Sequence, residues 1–253
     1  MDFDLNEDQK EIKSVARELL GARSTWARVR EAATAGEYDG SLWREIVALG
    51  WPGIAVSEEH GGQGLGIVEL AVLLEELGYA CAAVPFLSTA VAAAIIDRFG
   101  SDDDRERRLP GLVAGELRAG LGPGGLLADG ADADLALVLS PKGLIRVADP
   151  RARPRVTIDP TRRFGTTEGW IGGMALPAGA AALLFTAVAA EVVGVCQRAL
   201  EMTLDYVKER RQFGVPVGSF QAVSHRCAEM LLHTESARSA AYYAAWAADA
   251  GPG

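Results

Sequence analysis

Through the first 114 residues, apolar positions recur at three- and four-residue spacing. Ile12, Val15, Ala16, Leu19 and Leu20 form one stripe behind Asn6 and Gln9, which stand at capping-box spacing. Ser41 is placed to cap a short helix through Leu49 that stops at Gly50. Trp51 to Val56 is a brief apolar link into a glycine-rich loop from Ser57 to Gly66. Beyond it the pattern predicts a helix from Val68 to Leu77 stopped by Gly78, one opened by Pro85 and running to Gly100, and another begun by Asp102 to Asp104.

From about Glu116 to Ala178 the period changes. Leu135 to Leu139 reads as a strand, Pro141-Lys142-Gly143 as a turn, and Leu144 to Val147 as its partner. Arg155 to Ile158 and Phe164 to Ile171 are candidates for two more strands. Helical spacing then returns in the most strongly patterned part of the chain, with one helix from Ala181 to Arg211 and another from Phe220 to Asp249, broken at Gly214 to Gly218. The predicted fold class is mainly α with a small β insertion. The expected domains are 1–114 (helical), 115–179 (a reduced β module) and 180–253 (a helical hairpin).

Composition narrows the function classes. The 253 residues carry 25 Lys and Arg against 34 Asp and Glu, a net charge of −9, which excludes a general nucleic-acid backbone binder. Cys81, Cys196 and Cys227 lie far apart with no zinc or redox spacing, so buried free thiols in a reducing cytosol are expected. The acidic opening lacks the apolar region of a secretory signal, and no uninterrupted apolar run reaches the ~18 residues of a membrane span.

The segment Glu209 to Ala222 carries the most specific chemistry. It sets Arg210, Arg211 and Gln212 at the end of a long helix, followed by Phe213 and a glycine-proline turn. Arginine offers paired donors suited to phosphate oxygens, and Phe213 an apolar face for a ring system. On the residues alone, cations satisfied by the dipole of a helix C-terminus are the favoured account. The loop Gly61-Gly62-Gln63-Gly64-Leu65-Gly66 is not a dinucleotide fingerprint, because its third glycine falls one residue early and helices precede it.

The segment resembles the Glu-Arg-x-x-Phe-Gly … Phe-Gln-Ala stretch of the acyl-CoA dehydrogenase family. Phe3-x-Leu5-x-x-x-Gln9, Leu42-Trp43-Arg44, Leu49-Gly50-Trp51, Glu58 to Gly66 and Leu74-Glu75-Glu76-Leu77-Gly78 match further family motifs in family order. The resemblance implies an N-terminal helical domain, a middle β domain and a C-terminal four-helix bundle. It also implies FAD as cofactor and Cα–Cβ dehydrogenation of an acyl-CoA thioester. Carried over residue by residue, it places Arg210 and Gln212 at the FAD pyrophosphate of a neighbouring subunit, with Phe213, Phe220 and Gln221 at other flavin contacts. Arg211 is left facing solvent.

The departures bear on activity. Leu117 to Asp132 lacks the Thr-Glu-Pro type of loop that holds the flavin ring, and Trp170 lacks a following hydroxyl residue, so it reads as core. Ala182 and Phe185 stand where the family has an Asp and an Arg that contact acyl-CoA. Leu184 stands at one family position of the catalytic base, the other lying beyond residue 253. Glu191, the nearest acid, is seven residues on, about 10 Å along the helix, and reads as a solvated or interface carboxylate. No catalytic residue is therefore assigned. His60, His225 and His233 show no metal spacing.

Three readings remain: a subunit of an FAD-dependent acyl-CoA dehydrogenase whose partner supplies the base, a flavin-free scaffold derived from the fold, or a truncated ordinary enzyme. The run Ala237 to Ala248 is apolar or small on nearly every face, so a partner is expected to cover it. The candidates are a second copy, a homologous subunit, or the remaining part of the bundle as a separate polypeptide. Tyr242, Tyr243 and Trp246 are expected at that contact.

Overall fold

The computed structural model describes residues 4–140, 143–167 and 173–250. Six helices come first: α1 (Glu7–Arg23), α2 (Trp26–Ala35), α3 (Gly40–Ala48), α4 (Ile67–Tyr79), α5 (Phe86–Phe99) and α6 (Asp102–Val113). The capping box forms as the spacing predicts. Asn6 accepts from the Gln9 N–H, and the Gln9 side chain accepts from the Asn6 N–H. Ala16 and Leu20 of the predicted stripe are buried, but Val15 is exposed.

Two predicted boundaries are corrected. Asp39, not Ser41, caps α3, because its carboxylate reaches the N–H groups of both Ser41 and Leu42 at 3.1 Å. Gly78 does not stop α4; it lies inside the helix, where its missing side chain lets the backbone of Glu191 approach. The helix α5 is apolar on every face and is buried from Phe86 to Ile96, the behaviour of a core helix.

Next come β1 (Ala119–Pro123), β2 (Leu126–Leu127), β3 (Leu135–Ser140), β4 (Gly143–Ala148), β5 (Arg153–Pro154), β6 (Gly165–Thr166) and β7 (Met174–Ala175). One sheet has the order β1-β3-β4-β7, parallel between β1 and β3 and antiparallel elsewhere. A smaller sheet has the order β2-β6-β5. The strands at Leu135 and Leu144 form in register, with Val138 opposite Ile145. Residues Arg155 to Ile158 form no strand: Val156 and Ile158 are fully exposed, and pairing ends at Pro154. Of the stretch from Phe164, only Gly165–Thr166 is a strand among the described residues. Pro141, Lys142 and Trp170 lie outside them.

Two long helices close the chain, α7 (Ala178–Glu209) and α8 (Gln221–Ala250), joined by the short strands β8 (Arg211–Gln212) and β9 (Val215–Pro216). By length and composition α7 is apolar enough to cross a membrane, although Glu191 interrupts its apolar run. Part of its surface, however, is buried in the helical core of this chain, through residues such as Leu183, Leu184, Ala187 and Ala190. All three cysteines are free, but Cys196 is exposed and Cys81 half-buried, so only Cys227 meets the expectation of burial.

The interface of α1, α4 and α8 contains charge. Glu75 and Glu76 are almost wholly buried in α4. Lys13 donates to Glu75 at 3.0 Å, Arg238 at 3.2 Å and the Tyr242 hydroxyl at 2.8 Å. Arg17 grips Glu76 with both its Nε and its Nη2. Tyr242 thus commits its hydroxyl within this chain, while its ring stays part-exposed. At the far end of α8, the Asp249 carboxylate accepts from the N–H groups of Ile67 and Val68 and pairs with Arg98 at 2.6 Å. An anion at a helix N-terminus both fills orphan donors and complements the dipole, so Asp249 fastens α8 to α4.

Candidate functional site

The hairpin between α7 and α8 brings the five sequence-predicted residues together. Arg210 leaves the helix in an extended conformation. Its N–H donates to the Tyr206 carbonyl at 2.8 Å, and its carbonyl accepts from Val217 at 2.7 Å. Arg211 pairs with Pro216 and Gln212 with Val215, leaving a two-residue turn at Phe213-Gly214. Both turn residues have positive φ, +53° and +82°. That geometry suits the right-handed twist of a hairpin, but it costs a non-glycine residue about 1–2 kcal/mol. A strained, 94% exposed Phe213 therefore stands at the tip. Its ring meets Phe220 edge-on at 6.2 Å.

The polar groups beside these rings are available. The Arg210 guanidinium is exposed and makes no hydrogen bond or ion pair with any described residue. Among the described residues, the Gln212 amide donates only to the neighbouring Arg211 carbonyl, at 2.8 Å. Arg211 is exposed, as expected, with one long contact to the Gly214 carbonyl. Gln221 opens α8 and is also exposed. Such a set can bind an anionic group and a flat ring lying outside this chain's own body.

The other sequence-predicted positions lie on α7. Leu184 is buried in the core, while Ala182 and Phe185 are exposed and carry no polar group. Glu191 is mostly buried rather than solvated: burial drives its acidity down, and Arg162 contacts it at 2.5 Å. His60 has partners that the sequence did not show. Its Nδ1 lies 2.7 Å from Asp97 and 2.9 Å from the Ser57 hydroxyl, which locks the glycine-rich loop. Gly62 of that loop packs so closely on the Val56 backbone that no side chain fits, a structural use of the glycine. No group of three metal-ligating side chains occurs among the described residues.

One charged cluster has no sequence signature, because its members come from distant segments. Asp129 is wholly buried and accepts from the hydroxyls of Tyr38 at 3.0 Å and Ser88 at 2.5 Å. Arg162 lies 3.5 Å from Asp129 and also holds Glu191. Burial raises the pKa of Asp129 and Glu191, and the nearness of Arg162 only partly offsets it.

The architecture defined so far, helices flanking a small β module with two long helices behind it, is that of acyl-CoA dehydrogenases. The family description "Acyl-CoA dehydrogenase, N-terminal domain" matches residues 6–116, and "Acyl-CoA dehydrogenase, C-terminal domain" matches residues 179–253. The chain belongs to the acyl-CoA dehydrogenase family. It is 33% identical over 245 residues to the acyl-CoA dehydrogenase IpdE2 of Mycolicibacterium smegmatis, covering 93% of this chain and 76% of that protein. Among solved structures, the Tcur3481-Tcur3483 steroid ACAD, a variant, superposes with a TM-score of 0.83 at 31% identity, covering 97% of this chain and 79% of the other. The ChsE4-ChsE5 complex of Mycobacterium tuberculosis gives 0.80 at 27% identity, with 97% and 79% coverage.

Proposed function

We propose that this chain is a subunit of an FAD-dependent acyl-CoA dehydrogenase. In this reading it lends the α7–α8 hairpin to a flavin site completed by a homologous chain or a second copy. The observation that carries the proposal is the unpaired Arg210 beside the exposed Phe213. Both are presented away from this chain, on a turn strained enough to need a purpose.

The residues fit the cofactor's outer parts. Arg210 would hold a phosphate oxygen through charge-assisted hydrogen bonds, with Gln212 donating beside it. Phe213 and Phe220 would cover a ring and exclude water, and Gln221 would add a polar contact at the start of α8. When bound, FAD supplies the hydride acceptor for Cα–Cβ dehydrogenation of an acyl-CoA thioester. The accompanying Cα proton needs a carboxylate. On α7, Leu184 cannot accept it and Glu191 is committed to Arg162, so the base belongs to another segment or subunit.

The paired names of the Tcur3481-Tcur3483 and ChsE4-ChsE5 structures support assembly with a homologous chain. The steroid ACAD likeness makes sterol-derived acyl-CoA thioesters the first substrates to test. The place of action is the cytoplasm. The test is the visible absorption spectrum of the purified chain, alone and co-purified with a co-encoded homologue. Flavin should be retained only in the complex, and the isolated chain should not reduce an artificial acceptor with any acyl-CoA. A yellow, stoichiometrically flavinated homomer would overturn the need for a different partner. A colourless complex would favour a flavin-free scaffold.

A further inference from the structure

We propose that Asp129, Arg162 and Glu191 form a clasp that shares one proton between its two carboxylates and holds the β segment against α7. Asp129 sits just after β2, Arg162 in the loop before β6, and Glu191 on α7, so the three side chains join the module to the helical body. With both carboxylates ionised, this largely buried centre would hold two negative charges against one positive. Unbalanced charge in a low-dielectric interior is costly, and one bound proton removes the imbalance.

The geometry assigns the proton to Asp129. Glu191 takes the direct contact with Arg162 at 2.5 Å, whereas Asp129 is 3.5 Å from the guanidinium. The Nη1 of Arg162 facing Asp129 is buried without a hydrogen bond. The other neighbours of Asp129 are the hydroxyls of Tyr38 and Ser88. A hydroxyl can rotate to accept as well as donate, so these two can serve a protonated carboxyl.

Among the described residues, the surrounding charges do not supply the missing counter-charge. Asp159 approaches Arg162 at 3.9 Å and adds a third, part-exposed carboxylate. Arg163 is committed to Asp132 and the Gly36 carbonyl, and Arg118 stacks over the Tyr38 ring at 6.0 Å. On the α7 side, Arg198 donates to the Tyr79 hydroxyl, and the Cys81 thiol, itself pushed up by burial, is neutral.

The consequence is a pH-dependent attachment. Opening the clasp wets both carboxylates, which then ionise at ordinary values of about 3.9 and 4.3. The closed state therefore binds one more proton than the open state above that range. The open population rises by up to about tenfold per pH unit until the closed clasp itself loses its proton.

Hydrogen exchange of the full chain between pH 6 and pH 9, corrected for intrinsic rates, tests this. Protection of β1, β3 and the middle of α7 should fall together as pH rises. Asp129→Asn keeps the shape and removes the titrating group, so its protection should not vary with pH; if that variant fails to fold, Glu191→Gln leaves Arg162 to balance Asp129 alone, so Asp129 ionises and the dependence is lost by that route. Infrared spectra of the wild-type chain at neutral pH should show a buried protonated carboxyl that is absent from whichever variant folds. A wild-type chain without that band, or a pH dependence that survives in the variants, would overturn the clasp.

Discussion

Gly194 of α7 lies directly on the backbone carbonyl of Glu75 in α4. A Cβ at position 194 would overlap that oxygen and crowd the Tyr79 N–H. Gly78 of α4 makes the reciprocal approach to Glu191, so two glycines set how closely the helices pack. Gly194→Ala should destabilise the chain by roughly 1–3 kcal/mol through overpacking. Gly21, inside α1 with open space around it, is the control. Gly21→Ala should stabilise by about 0.5–1 kcal/mol, because alanine loses less backbone entropy in a helix. Urea unfolding of the two variants should move the midpoint in opposite directions.

Glu75 is expected to make stability acid-sensitive. Burial alone would raise its pKa, but Lys13, Tyr242 and Arg238 together hold it below the ordinary glutamate range. A carboxylate with a depressed folded pKa contributes its full stabilisation above about pH 4.3, and the contribution is lost as pH falls through the depressed value. Glu75→Gln should cost about 2–3 kcal/mol at neutral pH and flatten the acid limb of the stability profile. That lies below the roughly 3–5 kcal/mol of a fully buried broken pair, since Lys13 keeps some contact with solvent. Denaturant titrations across the acid range read both effects.

If the hairpin serves a flavin site, Arg210→Gln should weaken FAD retention by the assembled complex about tenfold or more. Losing a charge-assisted hydrogen bond typically costs about 1.5–3 kcal/mol. Phe213→Gly should weaken retention too, yet stabilise the apo chain slightly by relieving the positive φ. Flavin content by absorbance, alongside unfolding of the apo protein, separates the two. Unchanged flavin content in both variants would remove the hairpin from the site.

Assembly is expected through the long helices. Phe185, Val192, Met202 and Tyr206 are exposed on α7, and Leu232, Tyr243 and Trp246 on α8. Tyr243 and Trp246 pack at 5.9 Å between ring centres, an aromatic pair of the kind that anchors interfaces. Trp246→Asp should weaken association by about 2 kcal/mol or more, some thirtyfold. Light scattering at micromolar concentration checks it. A wild-type monomer, unchanged by the substitution, would rule the contact out.

Periodicity by itself determined most of the helices and the central strand pair, because burying a stripe or a face leaves a local imprint of spacing; the short edge strands, with little burial to imprint, escaped it. The Asn6 cap, the strands at Leu135 and Leu144 and the two long helices were all legible in this way. The motif around Arg210 was legible because its five residues are neighbours along the chain, so a short turn suffices to assemble them. Only the tertiary structure decided the rest. Gly78 became a packing position instead of a stop because α7 lies against it, and Tyr242 turned inward because Glu75 was there to receive it. The grouping of Asp129, Arg162 and Glu191 with Tyr38 was invisible for the same reason. Each residue alone is an ordinary polar side chain, and the burial that binds their charges together exists only once distant segments have closed around them.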